Sequence, residues 1–143
     1  MPDPVDAIIS IHPDYADAIL SGTKTIELRR RIPDVPPGTR LWIYATRPTG
    51  AVIGLATIQG IARANPVTIW RKHRKRTGLD YTSFKAYFDG SQMAVAILLT
   101  AVRRVGPITI GQLREIRDNF HPPQVLLRLT VSEAVKLRKL VRP

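Results

Sequence analysis

The residues with the most chemical potential follow a predicted helix in the pattern Gly-x-Lys-x-x-Glu-x-Arg, at Gly22, Lys24, Glu27 and Arg29. Lys24 would project from the tight turn that Gly22 makes possible at the end of the helix. Glu27 and Arg29 should share one face of the next strand, because strand side chains repeat every two residues. The spacing therefore predicts a carboxylate acceptor and several cationic donors at the mouth of a sheet.

These residue types suit two kinds of chemistry. Lys24, Arg29 and Arg30 can bind phosphate or carbonyl oxygens, and Glu27 can accept from a base amine or orient a cation. A desolvated lysine can also lose its proton near neutral pH and act as base or nucleophile, with Glu27 as proton shuttle. The alternative is a surface ion pair between Lys24 and Glu27, which contributes on the order of half a kcal/mol.

A second basic segment follows Trp70. Its cations are Arg71, Lys72, Arg74, Lys75 and Arg76. It is either a solvated helix face or a helix that contacts phosphates and supplies affinity rather than sequence specificity. A membrane partner is not expected, because too little apolar surface lies opposite the charges.

Several other side chains are candidates for the same cleft. Tyr44 could stack on a base at its edge, although aromatic residues in strands usually pack in the core. Thr46 could donate or accept a hydrogen bond. Gln124 follows two prolines that hold the chain extended, so its amide could point into the cleft. The His12 ring, just before the first helix, could line the cleft near Lys24.

The composition narrows the classes of function. The chain has 143 residues with 44% hydrophobic content, which predicts one domain over 1–143 with a real core. The absence of cysteine excludes disulfides, thiolate metal sites and cysteine nucleophiles. Three histidines lack metal-ligand spacing, and no phosphate-binding glycine loop or dinucleotide fingerprint is present, so we expect no metal and no cofactor.

The charge balance predicts the partner. A net charge of +11 and a pI near 10.9 favour polyanions, above all nucleic acid. The first ten residues do not resemble a secretory signal, and the longest apolar stretch, 93–102, is too short to cross a bilayer. We therefore expect a cytoplasmic protein. The oligomeric state is not predicted.

Strand and helix signals alternate along the chain. Apolar runs predict six strands, over 5–11, 25–32, 41–46, 51–61, 93–105 and 125–129. Cap and stop signals predict helices over 13–22, 67–76, 82–88, 110–117 and 131–141.

The last of these helices has an apolar face that can pack on the sheet, formed by Ala134, Val135, Leu137 and Leu140. Together the elements predict an α+β fold, with a small curled or closed β-barrel of five to six strands and flanking helices.

The sequence resembles the ASCH domain family, a branch of the PUA-like β-barrels. The resemblance rests on the Gly22-to-Arg29 motif and on four further stretches, which are Ile43-Tyr-Ala-Thr46 before Pro48, Ile53-Gly54, Tyr87-Phe88-x-Gly90 and Pro122-Pro-Gln124. It implies a cleft between barrel and helices and an RNA-related role. One branch of the family resembles amidohydrolases of N4-acetylcytidine, with a lysine that matches Lys24 and a threonine where this chain has Glu27.

Our leading hypothesis is a protein that binds RNA, another nucleic acid or a modified nucleobase through this basic cleft. The alternative is a small hydrolase of a nucleoside amide or of single-stranded RNA, with Lys24 and Glu27 catalytic. A third hypothesis is a regulatory protein that senses a small anionic metabolite.

Overall fold

Six strands form one mixed sheet in the computed structural model, which describes residues 3–141. The strands are β1 (Asp6–Ile11), β2 (Ile26–Arg29), β3 (Arg40–Ala45), β4 (Ala51–Ala64), β5 (Ala94–Thr109) and β6 (Leu126–Arg128). The helices are α1 (Pro13–Ser21), α2 (Pro66–His73), α3 (Tyr81–Tyr87), α4 (Ile110–Ile116) and α5 (Val131–Lys139), with a 3₁₀ turn at Arg74–Arg76.

The strand order is β2-β5-β4-β3-β1-β6, and only the β1–β3 pair is parallel. The register between β4 and β5 shifts three times along these two long strands. Such irregularities bend and twist a strand pair, so the sheet curls. The result is a half-barrel flanked by helices, which confirms the predicted α+β fold.

Alternation along the strands sorts the core onto two faces. Ile9 and Ile43 belong to the cluster that packs against α1, whereas Ile8 and Trp42 face the cluster beneath α4 and α5. A third cluster lies beneath α2 and α3 and includes Phe84. One sheet thus supports two separate pairs of helices on its outer side.

Two helices differ from the prediction. The helix expected over 67–76 ends at His73 and tightens into the 3₁₀ turn, because the chain must turn through Thr77 and Gly78 to pack beside β2. The last helix, predicted over 131–141, begins at Val131 after a capping box of Thr130 and Glu133 but ends at Lys139.

In the last helix only Ala134 and Leu137 of the predicted apolar face are buried. Val135 and Leu140 point to solvent, because α5 rests on the sheet along a narrow stripe. None of the helices within residues 3–141 is both long enough and apolar enough to span a membrane.

Candidate functional site

A pocket of about 220 Å³ opens where the end of β1 approaches β2. Its walls come from the β1–α1 junction, from β2, from the segment after the 3₁₀ turn and from α3. It brings together Lys24, Glu27 and Arg29, as the motif spacing predicted. The full lining is Ser10, His12, Tyr15, Lys24, Glu27, Leu28, Arg29, Leu79 and Tyr87.

Lys24 is the most buried cation of the pocket. Gly22, with φ near +88°, ends α1 and reverses the chain so that Lys24 enters the protein. Only 2% of Lys24 is exposed, and its Nζ donates to the Thr77 carbonyl at 2.7 Å. The same Nζ lies 5.2 Å from the centroid of the Tyr15 ring. Gly78 allows this closeness, because a Cβ there would lie 3.1 Å from the Lys24 Cβ.

Burial dominates the protonation of Lys24. It lowers the pKa of the Lys24 amine, Glu27 at 4.0 Å acts to raise that pKa, and Arg29 lowers it further. The net effect is a pKa below the usual lysine value, because loss of hydration disfavours the charged amine more than one carboxylate can offset. Lys24 can therefore give up its proton more readily than a surface lysine.

Glu27 and Arg29 form a buried pair on one face of β2. The Arg29 guanidinium approaches Glu27 Oε2 at 2.9 Å, and it also donates to the Ser10 carbonyl. β1 and β2 are not neighbours in the sheet, so the Arg29 side chain spans the gap between them. Glu27 is thus held in place and only 5% exposed. The bridge fixes both the carboxylate and the width of the pocket.

Aromatic and polar side chains complete the walls. The Tyr87 hydroxyl donates to the Leu28 carbonyl, and burial raises the pKa of that hydroxyl. His12 caps α1 by accepting the Asp14 N–H at Nδ1, which leaves Nε2 for other partners. The Ser10 hydroxyl is buried without a hydrogen bond to any described residue. The pocket therefore combines aromatic surface with one uncommitted and accessible polar group, His12 Nε2.

Other predicted site residues lie outside this pocket. The Arg30 guanidinium donates to the Tyr87 carbonyl at 2.7 Å and lies over the Tyr87 ring, behind the pocket wall. Tyr44, predicted at the cleft edge, instead shares a face with Trp42 that is buried beneath α4, and its ring meets Phe120 edge-on. The structure does not bring Thr46 or Gln124 into the pocket lining either.

The second basic segment comes just before the residues that pack against Lys24. Arg71, Lys72, Arg74 and Lys75 are exposed, and none of them belongs to an ion pair among residues 3–141. Arg76 turns inward and donates to the Thr25 hydroxyl at 2.9 Å. Thr77 is the next residue, and its carbonyl accepts a hydrogen bond from Lys24. The chain therefore runs directly from the exposed cations to the residue that holds the Lys24 amine.

Sequence reasoning missed part of the lining. Tyr15 on α1 is partly exposed and faces Lys24, and it lies outside the motif that marks the site. Leu79 and the Thr77 carbonyl come from a segment more than 50 residues after Lys24, and no local signal marks them. The described part of the chain contains no cluster of three or more histidine and acidic side chains that could hold a metal ion.

Comparison with known proteins agrees with this architecture. The family model of the ASCH domain matches residues 9–109. An ASCH domain-containing ribonuclease of Zymomonas mobilis is 43% identical over 140 residues, which cover 98% of this chain and 95% of the relative.

Solved structures give the same result. The crystal structure of ASCH from Zymomonas mobilis superposes with a TM-score of 0.93 at 42% identity and covers 98% of both chains. The N-terminal domain of Staphylothermus marinus McrB shares the fold alone, with a TM-score of 0.60 at 10% identity over 96% of this chain and 98% of that one. The chain belongs to the ASCH domain family.

Proposed function

We propose that this protein binds single-stranded RNA through the pocket and the exposed cations beside it, and that it cleaves the bound strand. The observation that carries the proposal is the buried Lys24 amine, placed beside Glu27 and Arg29 in a pocket that is open to solvent. RNA as the substrate is supported by the name of the Zymomonas mobilis relative and by the net charge of +11.

The size and lining of the pocket favour one unpaired nucleotide. A volume of about 220 Å³ is small for a drug-sized ligand and closed to a duplex. Tyr15 and Tyr87 offer ring surface on which a base can stack. Glu27 can accept from an exocyclic base amine. The strand on either side would lie against the exposed cations.

Cleavage would start at a ribose hydroxyl. The 2′ oxygen attacks the adjacent phosphorus, so that an O2′–P bond forms and the P–O5′ bond breaks. Lys24, with its lowered pKa, accepts the 2′ proton, and a neutral amine can still donate to the Thr77 carbonyl. His12 accepts the Asp14 N–H at Nδ1, so its Nε2–H can donate a hydrogen bond to the leaving O5′, which takes up a proton from water. Arg29 and the neighbouring cations stabilise the negative charge on the phosphoryl oxygens.

The test compares cleavage of a labelled single-stranded RNA by the native chain and by Lys24→Met and Lys24→Ala. Loss of a proton-transfer group should slow cleavage by about 100-fold or more. Lys136→Met, at an exposed position of α5, is the matched control and should cleave at the native rate. Native cleavage rates in both Lys24 variants would refute the role of this amine.

A second candidate uses the same pocket to hydrolyse a nucleoside amide such as N4-acetylcytidine. The observation in its favour is that the small pocket holds one amine and one carboxylate, Lys24 and Glu27. Release of acetate from N4-acetylcytidine by the native chain, lost in Lys24→Met, would favour this activity. Cleavage of RNA without release of acetate would exclude it.

A further inference from the structure

A groove between α2 and α3 lies outside the pocket described above. Its volume is about 200 Å³. Tyr81 is 50% exposed at its edge, and Val67 is also largely exposed. The complete lining is Pro66, Val67, Tyr81, Phe84, Lys85, Phe88, Asp89 and Gly90.

The exposed rings of this groove rest on buried ones. Trp70 contacts Tyr81 with ring centroids 5.4 Å apart, and it contacts Phe84 at 4.9 Å. Phe84 in turn packs on Phe88 at 4.8 Å, and both are buried. Because Trp70 already holds Tyr81 in place, a flat ligand could stack on Tyr81 at little cost in side-chain entropy.

Cations flank the same groove. Arg71 follows Val67 by four residues and so lies on its side of α2, and Arg74 is exposed in the 3₁₀ turn directly after the helix. Lys85 lines the groove from α3. The carboxylate of Asp80 is committed to the Ser83 N–H at the start of α3. Asp89 also lines the groove and offsets Lys85, so the surplus of positive charge beside the rings comes from Arg71 and Arg74.

We infer that this groove is a second binding surface for single-stranded RNA, where an unpaired base stacks on Tyr81 and the flanking phosphates contact Arg71 and Arg74. The inference rests on the proposed function and deepens it, because it sets the length and the strandedness of the substrate. Stacked rings next to cations are how proteins bind single strands without sequence preference. Bases inside a duplex are paired and stacked, so they cannot reach Tyr81.

The groove and the pocket share one structural element. Tyr87 projects from α3 into the pocket, whereas Tyr81 and Lys85 line the groove. Leu79, two residues before Tyr81, also lines the pocket. A strand that stacks on Tyr81 can therefore continue across the start of α3 to Lys24, so several nucleotides are held and only one enters the pocket.

The experiment measures binding of a cleavage-resistant 2′-O-methyl RNA 12-mer, single-stranded and as a duplex, by fluorescence anisotropy. Tyr81→Ala should weaken single-strand binding about tenfold, and Tyr81→Phe should stay within about twofold of native. Duplex binding should not change. Val131→Ala, an exposed position on α5, is the control for loss of exposed apolar surface and should bind like the native chain.

Tryptophan fluorescence gives a second readout. Trp42 is fully buried, whereas Trp70 is half-buried in contact with Tyr81. Bound single strands should quench the emission, and Trp70→Phe should abolish that quenching. This signal does not depend on cleavage, so it separates the groove from the chemistry at Lys24.

The outcomes separate the two proposals. If the native chain neither binds nor cleaves RNA, the proposed function fails. If it binds and cleaves, but Tyr81→Ala matches native and no quenching occurs, only the groove inference is overturned. Quenching by a poly-glutamate peptide and not by RNA would also overturn it, in favour of an acidic protein partner.

Discussion

Two buried carboxylates of this protein, Asp6 and Glu27, are each paired with arginine, but the two clusters differ in role. Asp6 accepts hydrogen bonds from Trp42 Nε1 at 2.9 Å, Arg40 Nε at 3.1 Å and Arg138 at 3.2 Å, and thereby joins β1, β3 and α5. Glu27 pairs with Arg29 beside a pocket and shares it with Lys24. In the first cluster three side chains from two elements, β3 and α5, satisfy the carboxylate, whereas the second cluster keeps an amine that has only weak electrostatic support.

The pKa shifts reflect this difference. Burial acts to raise the pKa of Asp6, but hydrogen bonds from Trp42, Arg138 and Arg40 outweigh it and hold that pKa below its ordinary value of 3.8. The pKa of Lys24 also falls, yet the cause is burial itself, which disfavours the charge. Asp6 is therefore more stable in its charged form and stabilises the fold, whereas Lys24 is less stable in its charged form and can exchange its proton.

The largest expected effect is on the Asp6 cluster. Asp6→Ala should lower the free energy of unfolding by about 3 kcal/mol, because it leaves the Trp42 N–H buried without a partner and two arginines without their carboxylate. Urea denaturation measures this change. Asp34→Ala is the matched control, because Asp34 pairs with Arg63 at the surface, and it should leave the unfolding free energy unchanged. Equal effects of the two substitutions would deny the cluster a stabilising role.

The complementary prediction concerns the stability of Lys24→Met. At neutral pH its unfolding free energy should equal or exceed that of the native chain, because the substitution removes a charge that folding must desolvate. In the folded native chain the pKa of Lys24 is lowered, so between that pKa and 10.5 the unfolded chain binds more protons than the folded chain. The unfolding free energy of the native chain therefore rises with pH across this range. The advantage of Lys24→Met should therefore shrink as the pH rises towards 10.5. A loss as large as that of Asp6→Ala would instead make Lys24 a structural residue.

The sequence predicts the Lys24 site better than its surroundings because the motif is local. A helix stop at Gly22 and a two-residue strand period suffice to place Lys24, Glu27 and Arg29 together. The Thr77 carbonyl and Tyr87 reach the same pocket only through the packing of α3 and the segment before it on the sheet, which no short spacing encodes. In the same way, alternation predicts that Trp42 and Tyr44 share a face, but only the position of α4 decides that this face is buried.

The smallest expected effect concerns the exposed cations, which should set the salt dependence of RNA binding and not its chemistry. Each phosphate contact on a single strand contributes about 0.7 to the slope of log affinity against log salt. Replacing Arg71, Lys72, Arg74 and Lys75 by glutamine should therefore lower the slope by up to about 3.

The control for this prediction removes four exposed cations elsewhere, with Arg103, Arg104, Lys136 and Lys139 replaced by glutamine. Both variants carry the same net charge, so any difference between their slopes reports position. The slope of the control should fall by less than half as much, because those side chains lie on α5 and on the far part of β5, away from the pocket. Identical slopes would mean that overall charge attracts the RNA, and the chain segment that leads into the Lys24 pocket would then have no special part in guiding the strand there.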